Sequence, residues 1–260
     1  MFTGEASSWK SFLRRAYGFG VRIAYGHANK RVIVQNQDDL KVLAESGLAS
    51  KGELVLIPGS GVNLKEYEAG AEDSRGPLVV LPARMLKDKG VVEFAEAAAL
   101  VRATRCDWRF ALVGTADYQN PTAVSREQIQ NWVDAGTLEW WGHRDDMARV
   151  FSEASIVCLP SYREGMPKAL LEAAAAGCAV VTTDVVGCRE AVLDGETGDL
   201  VPVGDSVALS RVLLALINEP KRRASYACAG RRLAASRFGL EAVIGRTLSI
   251  YQELIHSAAD

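Results

Sequence analysis

The chain has 260 residues, enough for one large domain or one and a half smaller ones around a substantial core. Its 48% hydrophobic and 24% charged residues exclude a disordered or collagen-like chain, and a net charge of -2 excludes the basic balance of a general nucleic-acid binder. Five scattered cysteines without C-x-x-C spacing indicate neither a disulfide framework nor a zinc site, which suits a reducing cytoplasm, and no apolar run reaches membrane-spanning length, so any membrane contact is expected to be peripheral.

In chain order, residues 8–28 read as a helix with Trp9, Phe12, Leu13, Ala16 and Tyr17 near one face and Lys10, Arg14, Arg15 and Arg22 elsewhere. The apolar face reads as domain core; its basic companions suit anionic lipid headgroups as the alternative. Residues 32–34 then read as a strand, 38–46 as a helix stopped by Gly47, and 54–57 as a second strand. Two strands and two helices are too few for a self-sufficient domain, so residues 1–62 are expected to be the remnant of one. Residues 63–76, acidic and glycine-containing, read as an interdomain linker.

From Leu78 onward short apolar runs alternate with amphipathic segments. The runs 78–81, 109–113, 138–140, 156–159 and 179–183 are expected strands; 90–102, 125–135 and 145–153 are expected helices. This β-α-β rhythm predicts a doubly wound α/β domain with a parallel, Rossmann-like sheet over residues 77–238, whose ligands bind beyond the carboxyl ends of the strands. Residues 239–260 read as a terminal helix, with Ile244, Leu248, Tyr251 and Leu254 or Ile255 at helical spacing, that packs back toward the first unit.

The stretch Arg163-Glu164-Gly165-Met166-Pro167-Lys168-Ala169-Leu170-Leu171-Glu172 follows an expected strand and opens a helix closed by Gly177. Pro167 suits that helix's first turn, whose unpaired amides and positive dipole end fit an anion such as a diphosphate. Glu164 and Glu172 would flank the anion at different depths, where acceptor-only groups suit sugar hydroxyls better than phosphate. After the first strand of the same domain come Arg84, a planar fork of donors, and Lys89, a compact charge; together they can neutralise a diphosphate without a metal. No Asp-x-Asp triplet occurs, and the three histidines are widely spaced, so no metal site is suggested. Taken singly, each feature has a plainer reading: the glutamates as a stabilised helix terminus, Arg84 and Lys89 as a solvated turn, His143 as a surface side chain.

In order and together, Gln35-Asn36, Pro58-Gly59-Ser60-Gly61-Val62-Asn63, Arg84 with Lys89-Gly90, Val113-Gly114, Trp141-Gly142, the Glu164 and Glu172 pair, and Gly195-x-x-Gly198 followed by Leu200-Val201-Pro202 resemble the retaining glycosyltransferases of group 1, which have the two-domain GT-B fold. The resemblance runs from Val32 to Leu254. It implies the C-terminal, nucleotide-sugar-binding domain of such an enzyme, with most of the acceptor-side domain missing ahead of it. Arg84, Lys89 and Glu164 then carry the catalytic roles, the two cations stabilising the diphosphate leaving group and Glu164 binding donor-sugar hydroxyls. Gly61, Gly114, Gly165, Met166, Pro167 and Lys168 join the donor site, Glu172 holds the ribose, and His143 and Arg144 lie near the base.

The implied reaction uses a nucleotide sugar as substrate, needs no cofactor or metal, and passes the sugar with retention to a glycan or lipid-linked acceptor. No protein nucleophile is needed, because the leaving phosphate helps take the acceptor's proton. The wording Glu-Gly-Met-Pro-Lys, Thr182-Thr183-Asp184 and Gly187-Cys188-Arg189-Glu190 resembles bacterial enzymes that build lipid-linked surface polysaccharides, often from UDP-N-acetylhexosamines, in the cytoplasm or at the inner face of the membrane. Two competing expectations stand beside this one. One is a donor-binding or vestigial module without independent turnover; the other is a GT-B epimerase, disfavoured by loops poor in acid-base side chains.

Overall fold

Residues 19–21, 23–67 and 75–257 are described by the computed structural model, and they divide into two units. The first contains the described residues up to Ile57 and those from Gly245 on. Strands β1 (Val32–Val34) and β2 (Leu54–Leu56) pair in parallel, with Val32 opposite Leu54. Between them runs helix α1 (Gln37–Ser46), started by Asn36, whose side-chain oxygen accepts the Asp39 amide at 2.7 Å, and ended by Gly47 in the left-handed region. Val34, Ala49 and Leu54 form its small core. The last residues of the chain join this unit through Asn29, which donates to the Leu254 carbonyl at 2.8 Å and accepts from the Ser257 hydroxyl at 2.9 Å. Much of the helix expected over 8–28 lies outside the described residues; 19–21 and 23–24 are helical.

The second unit, Pro58–Ile244, holds the doubly wound sheet. Its strands are β3 (Gly76–Pro82), β4 (Arg109–Val113), β5 (Glu139–Trp140), β6 (Ala154–Leu159), β7 (Ala179–Thr183) and β8 (Gly198–Val201), all parallel, in the order β5-β4-β3-β6-β7-β8. The central strands read as unbroken apolar runs because both of their faces are covered. Along β3, Val79 and Leu81 enter one core while Leu78 and Val80 enter the other, as the two-residue period requires. Helices α2 (Val91–Arg102) and α3 (Arg126–Asp134) pack on the first face, and α4 (Met147–Glu153) and α5 (Lys168–Ala176) on the second.

A one-turn helix α6 (Cys188–Ala191) follows β7. Helices α7 (Ser206–Asn218) and α8 (Pro220–Arg237) add to the first and second faces respectively, and with β8 they are elements that hydrophobic periodicity did not name. Helix α9 (Leu240–His256) begins in this unit and contains the division between the two. Its apolar residues Ile244, Leu248, Tyr251 and Ile255 are exposed.

The segment read as a linker is docked at both of its described ends. Tyr67 is buried against Phe151, with ring centroids 6.1 Å apart. Arg75 is buried and donates to the carbonyls of Phe151 (2.9 Å), Ala154 (2.7 Å) and Ala176. Phe151 lies in the last turn of α4 and Ala176 is the last residue of α5, so one guanidinium satisfies carbonyls that these helices leave unpaired. Residues 68–74 lie outside the described residues.

The strand order fixes where a site can be. From β3 the chain winds outward to β4 and β5, then returns to β6 beside β3 and winds the other way. The loops leaving β3 and β6 therefore part at the topological switch point, where open α/β sheets bind their ligands.

Candidate functional site

The two switch-point loops are pressed together by a glycine. Gly90 has φ 70°, and a Cβ there would stand 2.1 Å from the Pro160 carbonyl oxygen, so no other residue fits this approach. The contact brings Lys89 to Glu164, 75 positions later, with Nζ 2.6 Å from Oε1. The Ser161 hydroxyl donates to the same Oε1 at 2.7 Å, and the Thr183 hydroxyl donates to the Ser161 carbonyl. With side chains only 23% and 13% exposed, this pair is held far more firmly than a surface ion pair.

Beside these loops lies a cavity of about 310 Å³ lined by Pro82, Ala83, Arg84, Val113, Gly114, Thr115, His143, Arg144, Met147, Ala169 and Glu172. Arg84 is exposed and meets Asp117 only loosely, at 3.6 Å, which leaves most of its donor fork free. Glu172 is buried within α5, 3.1 Å from Lys168 Nζ and near the Tyr67 hydroxyl, whose ionisation is pushed up by burial and by hydrogen bonding to Glu172. Pro167 is the N-cap of α5, one position earlier than the first turn in which sequence placed it, and it supplies no side-chain cap. The first amide to reach back is that of Leu170, to the Pro167 carbonyl at 3.0 Å. The amides ahead of it have no acceptor within the helix, and Ala169, in the same turn, forms part of the cavity wall.

Gly114 joins the β3 and β4 exits: a Cβ there would lie 1.9 Å from the Ala83 carbonyl oxygen. Its amide donates to Gly142 at 2.7 Å and its carbonyl accepts from the Trp140 indole at 3.0 Å. The next loop is braced from outside the cavity. Arg109 grips Glu139 with two bonds of 2.7 and 2.8 Å, and Glu139 accepts the Trp141 indole N–H at 2.8 Å, which together hold its carboxyl below the usual range. Arg144 stands over the Trp141 ring, 6.0 Å from its centroid, and holds Asp146 through bonds of 2.7 and 2.6 Å, which push the Asp146 carboxyl down to about 2. His143 Nε2 is 3.0 Å from Asp145 Oδ1, a neighbour two residues on.

The structure thus brings Arg84, Gly114, His143, Arg144 and Glu172 onto one cavity, and sets Lys89 and Glu164 as a pair on the adjoining loops. Of the intervening residues, Gly165 is exposed, Met166 half-buried and Pro167 buried, none of them in the cavity wall; Lys168 reaches the site through Glu172. Gly61 lies elsewhere: a Cβ on it would stand 2.8 Å from the Leu240 α-carbon, so its role is to admit the start of α9. Thr115, Met147 and Ser161 were not singled out from sequence. Thr115 follows Gly114 just beyond β4, a place that the carboxyl-end rule alone could have flagged.

Residues 76–219, more than half of the chain, match the family described as glycosyl transferases group 1. The chain is 28% identical, over 90% of its own length and 63% of the relative's, to the N,N'-diacetylbacillosaminyl-diphospho-undecaprenol alpha-1,3-N-acetylgalactosaminyltransferase of Campylobacter jejuni. It resembles the structure of Anabaena Alr3699/HepE in complex with UDP and glucose, with a TM-score of 0.75 and 22% identity over 88% of this chain and 66% of that one. It also resembles the C-terminal domain of the glycosyl transferase group 1 family protein LpcC from Francisella tularensis, with a TM-score of 0.62 and 26% identity over 69% of this chain and 100% of that one. The chain spans less than two thirds of the length of the curated relatives it matches.

Proposed function

The chain belongs to the glycosyl transferases group 1 family, and on that footing we propose that it supplies the donor site of a retaining transferase. In this reading it moves a hexose or N-acetylhexosamine from a UDP-sugar to a glycan or lipid-linked acceptor during bacterial surface polysaccharide synthesis. One observation carries the proposal: Arg84 and Glu172, from the exits of β3 and β6, line a single cavity together with the uncapped first turn of α5. The diphosphate would lie against that helix start and the Arg84 fork, and the ribose against Glu172. Lys89 and Glu164 would take the sugar end, Glu164 accepting hydroxyls while Lys89 offers its remaining donors to the departing phosphate. Preorganised positive groups at the place where charge develops are the usual main source of such rate enhancement. The base would lie beside Arg144 and His143, and no metal or protein nucleophile is assigned a step.

A second reading is a donor-binding module without turnover of its own. Donor and acceptor must be held together for oriented attack, so a transfer assay beside a UDP-binding measurement separates the two. Sugar transfer from UDP-glucose or UDP-N-acetylglucosamine to undecaprenyl-diphosphate-linked acceptors, abolished in Lys89→Ala and Glu164→Ala while circular dichroism shows each variant still folded, is the outcome expected of the first. UDP binding without transfer favours the module. Wild-type transfer in either variant refutes the assignment of the site.

A further inference from the structure

Tyr162 and Glu93 meet where the two switch-point loops come together. The Tyr162 hydroxyl donates to Glu93 Oε1 at 2.6 Å, and the Tyr162 amide donates to the Asp88 carbonyl at 2.9 Å. Asp88 immediately precedes Lys89 in the turn after β3, and Glu93 lies in the first turn of α2, into which that turn runs. Tyr162 stands two residues before Glu164. One tyrosine therefore holds both sides of the segment that delivers Lys89, and it does so from the loop that delivers Glu164.

We propose that Tyr162 and Glu93 are positioning residues, their bond clamping these two loops so that Lys89 and Glu164 keep the spacing the donor sugar requires; this rests on the donor-site reading above. The plainer alternative is a surface hydrogen bond of no consequence, since Tyr162 is exposed. Two features argue against it. The second carboxylate oxygen of Glu93 is buried with no hydrogen-bond partner among the described residues, a costly placement that the positive start of α2 offsets only in part. The clamp also acts at the point where the Gly90–Pro160 contact already brings the loops together, so it adds direction to a contact made by the backbone. Bonding to Glu93 pushes the Tyr162 hydroxyl up to about 12, so the clamp stays protonated throughout the neutral range.

The test uses the 260-residue chain without ligand first. Tyr162→Phe removes one oxygen from an exposed ring and leaves the packing unchanged, and Glu93→Gln keeps an oxygen that can accept the hydroxyl. Amide hydrogen exchange at residues 86–90 and 161–165 should quicken about ten-fold in Tyr162→Phe, with other segments and the thermal midpoint unchanged, and stay near wild type in Glu93→Gln. Calorimetry of the same variant should find UDP bound within about two-fold of wild type and UDP-glucose weakened about five-fold, because the sugar depends on Glu164 of the clamped pair, whereas the diphosphate keeps Arg84 and the start of α5 beside Lys89. Wild-type exchange in both loops of Tyr162→Phe overturns the proposal. So does a uniform rise in exchange with a lower midpoint, which marks a general stabiliser, and so does equal weakening of UDP and UDP-glucose. Lys89→Ala keeps the two readings apart: unchanged UDP-glucose affinity there removes the donor role of Lys89, and the clamp is then decided by the exchange data alone.

Discussion

Gly90 lies so close under Pro160 that a side chain on it would overlap the Pro160 carbonyl, and this contact sets the distance between the two loops that carry Lys89 and Glu164. Gly195 has almost the same φ, 73° against 70°, with nothing within 4 Å of the place a Cβ would take. The pair separates the cost of a left-handed conformation from the cost of a blocked approach. Gly195→Ala should lower unfolding free energy by about 1 kcal/mol, and Gly90→Ala by about 3 kcal/mol or more. Urea unfolding measures both; equal losses would mean that the loop contact is not tight.

Arg75 makes a related prediction about the helix that carries Glu172. Removing its guanidinium leaves the carbonyls of Phe151, Ala154 and Ala176 short of their donors in a buried place, so Arg75→Ala should cost roughly 3 to 5 kcal/mol. Arg75→Lys should recover part of that, since an ammonium has donors but lacks the planar fork. Stability unchanged by Arg75→Ala in chemical denaturation would show that the segment before β3 is not anchored as described.

Much of this architecture is legible in the amino-acid sequence. Strands β3, β4, β6 and β7 announce themselves because burial on two faces keeps the runs 78–81, 109–113, 156–159 and 179–183 apolar, with polar residues only at their ends, Arg109 at the start of β4 and Thr182 and Thr183 at the close of β7. Strand β8 escapes periodicity because its four residues include Asp199, a buried carboxylate that reads as a turn residue until Arg222 and Tyr226 are seen bonding to it at 2.6 and 2.9 Å. Helix α8 escapes it because its arginines and alanines are spread around the whole helix, with only Tyr226, Ala227, Gly230 and Ala234 buried. Within the site, motif order finds Arg84, Lys89, Glu164 and Glu172, but not what holds them. Tyr162, Glu93 and Arg75 act through partners between 69 and 103 positions away, which no local pattern reveals.

Acid should loosen the loop carrying Arg144. The Asp146 carboxyl, bonded by Arg144, is pushed from an ordinary 3.8 down to about 2. A folded value below the unfolded one means that the pair's contribution is fully present above about pH 4, and is lost as pH falls toward and through 2. Carboxyl-carbon NMR should find Asp146 titrating near 2 in the native chain and near its ordinary value in Arg144→Ala. An unchanged titration in that variant would show that Arg144 does not hold the loop.

The most direct test of the donor site is calorimetric titration of the folded chain with UDP, repeated on Arg84→Ala and Glu172→Gln. Saturable binding at one site, weakened about ten-fold or more in each variant without loss of melting temperature, is the result expected if Arg84 and Glu172 grip one nucleotide from opposite walls of the cavity. Absence of saturable binding by the folded wild-type chain, or equal affinity in all three proteins, would contradict it.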